Sequence, residues 1–192
     1  ANPIVSASAV DTNSTTIALT GNNTKFIKYY SNVSVTATAT AQKGATITST
    51  TGTGTFNNVE RNSWEVVSVD SRGNTTRKTV SGTLIPYVRL TCNLENTIPD
   101  TNGNITVRCD GSCYNGSFGA VANALTVKCR FKNPSGAYSD WYTMTVTKNG
   151  NYYGAYTSIT IPSFNYQAVY TFECQATDKL ATVSATPSAV KS

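Results

Sequence analysis

The residues best suited to contact or chemistry are six aromatics, Tyr138, Trp141, Tyr142, Tyr152, Tyr153 and Tyr156, and three cations, Lys128, Arg130 and Lys132. Planar rings on an exposed sheet suit stacking against sugar faces, with nearby Asn and Ser supplying hydrogen bonds. The cations recur at every second position, which places them on one face of a strand. Such a stripe attracts an anionic wall polymer. Trp141, Tyr142, Tyr152 and Tyr153, with Lys128, Arg130 and Lys132 beside them, are therefore the expected carbohydrate-binding set. The competing explanation is structural. Tyr and Trp pair across hairpins, and a Lys/Arg stripe is the solvated face of a strand.

Catalysis has little to work with. The chain contains no histidine, which removes the commonest general base and nucleophile activator. Its ten carboxylates are scattered. The segment Asp100-Thr101-Asn102-Gly103-Asn104 has the look of a calcium loop but lacks the third acid and the closing Glu. No glycine loop ends in Lys-Ser or Lys-Thr. The expectation is a non-enzyme with no catalytic residue, no metal and no cofactor.

The cysteines, Cys92, Cys109, Cys113, Cys129 and Cys174, all lie in the second half. Four of them sit in apolar phase on expected strands, as buried thiols acting as small hydrophobes do. Alternatively, Cys109 and Cys174 have the spacing of a bridge between the second and sixth strands of a sandwich. An odd count and the lack of a Trp on the third strand oppose that pairing. Free thiols suit folding in a reducing cytosol.

The elements that must position these groups are strands. Only 13% of residues are charged, Thr, Ser, Asn and Val dominate, and no window shows a clean helical period. The net charge of +5 is dispersed, with seven basic and four acidic residues in 1–86 and eight and six in 87–192. No basic patch suggests nucleic acid, and no apolar run suggests membrane insertion. The opening at Ala1-Asn2-Pro3, without an export signal, is expected of a piece of a longer protein.

Two halves repeat weakly. Residues 3–11 resemble 86–94, and the hairpin at Asp70 resembles that at Asp178, so the second copy is longer by about 25 residues. The expected fold is all-β, with two sandwich domains at 1–85 and 86–192. First-copy strands are expected near 3–10, 16–20, 32–40, 45–50, 63–70 and 75–81. Second-copy strands are expected near 88–94, 104–109, 123–132, 141–148, 155–161, 168–177 and 181–186. Trp64 to Tyr87 reads as a closing hairpin that runs into the next domain through a short, stiff linker. The low-complexity run Thr48–Thr55 is expected to be a surface loop, with Phe56 and Val59 opening a short strand after it.

Asn2-Pro3, Tyr29-Tyr30-Ser31-Asn32-Val33, Asp70-Ser71-Arg72-Gly73-Asn74, Ile85-Pro86-Tyr87, Asn115-Gly116-Ser117-Phe118-Gly119 and Asp178-Lys179-Leu180, taken in order and spacing, make a recognisable set. In these the chain resembles a family of large minor structural proteins from tailed phages and prophages of Gram-positive bacteria. The resemblance runs through nearly all 192 residues, although the segment from Ile47 to Phe56 is shorter than the family leads one to expect. It implies tandem immunoglobulin-like β-sandwiches in a virion protein of the tail or baseplate, assembled in the bacterial cytoplasm. Its implied partners are other virion tail proteins and host cell-wall polysaccharide. It supplies no catalytic residue. Two rival readings remain: an architectural spacer with no external ligand, and a fragment of a bacterial surface adhesin.

Overall fold

The computed structural model describes residues 1–13, 24–43, 46–95, 98–186 and 190–191. The chain is all-β, with 59% of residues in strands and no helix among the described residues. It divides into two compact units, Ala1–Tyr87 with Phe118–Val121, and Val88–Ser117 with Ala122–Ser192. The strand expected near 16–20 lies outside the described residues.

The first unit holds β1 (Ile4–Asp11), β2 (Lys25–Ile27), β3 (Val33–Lys43), β4 (Thr46–Phe56), β5 (Ser63–Val69), β6 (Thr75–Ser81) and β7 (Thr83–Ile85). β1, β3 and β4 form an antiparallel sheet, β5 and β6 a hairpin, and β2 and β7 a parallel pair. Its core is small: Ala9, Phe26, Val33, Val35, Val59 and Trp64. The Trp64 ring lies 5.6 Å from both Phe26 and Phe56.

The loop expected at Thr48–Thr55 is instead most of β4, paired along its length with β3. Low complexity concealed a period of two. Thr51, Thr53 and Ser49 point outward and meet Thr38, Thr36 and Thr40 in a hydroxyl ladder at 3.0–3.3 Å, the cross-strand pairing that suits Thr. The other face carries Gly52 and Gly54 opposite Ala37 and Val35. Nor does a strand begin after it, because Phe56 ends β4 and Val59 is buried in irregular chain. The small side chains leave an open groove of about 1490 Å³ between this sheet and β5, floored by Val35, Ala37, Ala39, Gly52 and Gly54 and walled by Trp64.

The second unit holds β8 (Asn93–Leu94), β9 (Asn104–Ser112), β12 (Thr126–Lys132), β13 (Tyr142–Thr143), β14 (Thr145–Asn149), β15 (Tyr152–Thr160), β16 (Val169–Thr177), β17 (Thr182–Ala185) and β18 (Val190–Lys191). A two-stranded pair, β10 (Ser117–Phe118) and β11 (Val121–Ala122), falls between β9 and β12 in sequence. One sheet runs β14-β15-β9-β8, the other β13-β12-β16-β17 with β18 beside β16. Alternate residues of β9, β12, β15 and β16 share one core, including Val107, Cys109, Val127, Cys129, Phe131, Ile159, Phe172 and Cys174. The two sheets therefore pack inner face to inner face.

All five cysteines are free thiols. The bridge between Cys109 and Cys174 is not formed; each thiol lies 3.8 Å from the sulfur of Met144. Contact with the Cys109, Cys129 and Cys92 thiols, and then burial, pushes the pKa of Cys174 upward. At Cys109 the contact with Cys174 lowers it, but contact with Cys92 and burial outweigh that and leave the thiol raised to about 12.

One turn recurs in both units. In Asp70–Asn74, the Asp70 carboxylate accepts from the amides of Arg72 and Asn74, each at 2.9 Å, and Gly73 takes a φ of 83°. In Asp100–Asn104, Asp100 accepts from the amides of Asn102 and Asn104 at 2.8 and 2.9 Å, and Gly103 takes a φ of 82°. Only glycine adopts that left-handed conformation without strain. The Asn74 side chain above all holds Asp70 below the usual carboxylate range, and the Asn104 amide does the same for Asp100.

A folded-state pKa below the unfolded value means that the stabilisation is present above the unfolded pKa, about 3.9, and is lost as pH falls through the folded one. Melting temperature is therefore expected to fall below about pH 4. A double variant, Asp70→Asn with Asp100→Asn, keeps an acceptor in each turn without the charge. It is expected to melt a few degrees lower at neutral pH and to show a flatter acid limb. Thermal melts between neutral pH and pH 2 check both.

Candidate cation–aromatic face

Strand β12 has strict alternation. Val127, Cys129 and Phe131 point into the core, and Lys128, Arg130 and Lys132 point outward. After Lys132, Asn133 closes a tight turn in which Gly136 donates to its carbonyl at 2.8 Å with a φ of 96°. The chain then returns along β12. Tyr138 bridges to Lys132, and Ser139 bonds twice to the Phe131 backbone, donating from its amide at 2.8 Å and accepting at its hydroxyl at 3.0 Å. This return lays Tyr138 and Trp141 across the outward cations.

The contacts are close. The Arg130 guanidinium lies 3.9 Å from the Tyr138 ring centre and 4.3 Å from that of Trp141. The Lys128 ammonium lies 4.6 Å from Trp141 and the Lys132 ammonium 5.4 Å from Tyr138. Each such contact is worth roughly 0.5–1 kcal/mol at an exposed site. Across on β16, Glu173 sits opposite Arg130 and accepts from its Nε–H, while Gln175 and Thr171 sit opposite Lys128 and Lys132. Among the described residues, Lys128 and Lys132 have no hydrogen-bonded or ionic partner, and the terminal N–H groups of Arg130 make no hydrogen bond. Three cations against one carboxylate leave the face net positive.

The other expected site residues lie elsewhere. Tyr153 is 3% exposed, inside the core, and its hydroxyl donates to the Thr91 carbonyl at 2.8 Å; burial raises its pKa. Tyr142 pairs with Cys129 and stacks on Phe131, so it belongs to the inner side of its sheet. Tyr152 is 72% exposed but stands on β15, on the outer face of the opposite sheet. Neither Tyr153 nor Tyr142 forms a shared exposed platform with Trp141, because Tyr153 is buried in the core and Tyr142 packs against it. Tyr138 joins the face, although the narrower expected set omitted it. Its signal was the Asn-Pro-Ser-Gly turn at 133–136, which folds the chain back onto β12.

No protein-family model matches this sequence, and no curated protein does.

Proposed function

We propose that the chain is a non-enzymatic structural module of a phage virion, part of the tail or adhesion device, built of immunoglobulin-like domains. In this reading it extends the device and contacts host cell-surface glycans through the outer face of β12. The motif resemblance supports the virion assignment. The strand order of the second unit supports the fold: β8-β9-β15-β14 facing β13-β12-β16-β17 has the order of an immunoglobulin sandwich, A-B-E-D against C′-C-F-G. The observation that carries the contact role is the cation–aromatic face, with Lys128 and Lys132 free of acid partners among the described residues.

The spacer reading draws on the same geometry. Arg130 already lies against both Trp141 and Tyr138, as it would if the cluster only pinned the return loop to β12. Co-sedimentation of the purified chain with isolated Gram-positive cell walls separates the two. Saturable binding that weakens in a folded Trp141→Ala variant supports the contact role. Absence of binding across several wall types leaves the spacer.

A further inference from the structure

The cation–aromatic face also bears on the kind of glycan it would take, an inference that rests on the contact role above. A neutral sugar docks by laying its ring against an open aromatic face. Here Arg130 lies over both Tyr138 and Trp141, with Lys128 and Lys132 completing the set. What the face offers a ligand is a row of positive hydrogen-bond donors, held in place by the rings.

We infer that the outer face of β12 recognises a linear polyanion with a phosphodiester in every short polyol repeat. Outward residues on a strand recur about every 6.7 Å. An extended three-carbon polyol phosphate advances by as many backbone bonds per repeat as two residues of a strand, so successive phosphates meet Lys128, Arg130 and Lys132 in step. Glu173 takes only the Nε–H of Arg130, and its fork retains donors suited to phosphate. Gln175 and Thr171, paired with the outer lysines, add neutral donors there. Single-stranded nucleic acid has a similar repeat, but its binding leans on bases stacked against open rings. Here each ring already carries two cations within 5.4 Å of its centre, which compete with a base for it.

The test is a binding titration of the intact chain with three labelled probes: a glycerol-phosphate oligomer, a chitooligosaccharide and an oligo-dT. The glycerol-phosphate oligomer is expected to bind with log K falling against log salt at a slope of about −2, three contacts at roughly 0.7 each. Lys128→Gln with Lys132→Gln should weaken it about tenfold or more and bring the slope to about −0.7. Trp141→Phe, which keeps a ring under the cations, should retain most of the affinity. Salt-independent binding of the chitooligosaccharide would overturn the polyanion inference while leaving wall contact in place. Equal or tighter binding of oligo-dT would overturn the polyol specificity. If whole cell walls sediment the chain but the glycerol-phosphate oligomer does not bind, the inference fails and the contact role survives. If neither binds, both fail.

Discussion

Phe131→Ala is expected to cost about 3–5 kcal/mol and to lower the melting temperature of the second unit by more than about 10 °C. Phe131 is 2% exposed, and its ring centre lies 6.1–6.3 Å from those of Tyr142, Tyr170 and Phe172. Removing the ring leaves a cavity among groups from β13 and β16, the strands on either side of β12, which can collapse only partly. A unit of this size is stable by roughly 5–15 kcal/mol, so one such loss is a large share of the whole. The same residue anchors the return loop, because Ser139 bonds to its backbone. Phe131→Leu keeps most of the volume and should cost less than about 1.5 kcal/mol. Calorimetry on the three proteins checks the order. A Phe131→Ala protein that melts like the parent would mean that the two sheets are not held by this core.

The second large effect concerns contact. Changing both Lys128 and Lys132 to Glu leaves Arg130 as the lone cation among three carboxylates, and turns the face from net positive to net negative. Wall binding is expected to weaken by at least about 100-fold, or roughly 2.7 kcal/mol. Neither side chain enters the core, so circular dichroism and melting temperature should stay close to those of the parent. Lys148→Glu with Lys179→Glu makes the same change in total charge at exposed positions outside β12. That control should keep most of the binding. Equal loss in both variants would make the attraction a property of net charge rather than of this face.

Much of the second unit was legible because its strands alternate cleanly. Val127/Cys129/Phe131 and Phe172/Cys174/Ala176 each pair an apolar phase with a polar one, and period two then assigns each thiol inward and each lysine outward. The same rule places Tyr153 inside, since Ala155 and Ile159 share its phase, whereas reading Tyr152 and Tyr153 as one cluster ignored it. Tyr142 was harder, because its side depends on pairing with Cys129, a non-local choice. The β4 strand was hidden by composition: Gly and Thr read as a loop, although each outward Thr or Ser had a hydroxyl partner waiting on β3. The site was only half legible. The cation stripe follows from spacing, but the placing of Tyr138 and Trp141 over it depends on the 133–141 return.

The most direct measurement is a nuclear magnetic resonance titration of the isotope-labelled chain with solubilised Gram-positive wall polymer. Shift changes are expected to cluster at the Lys128–Lys132 amides, Tyr138 and the Trp141 indole, and to fade as salt rises. Changes centred instead on Tyr152 and Tyr156, or no changes at saturating polymer, would contradict the assignment of contact to the outer face of β12.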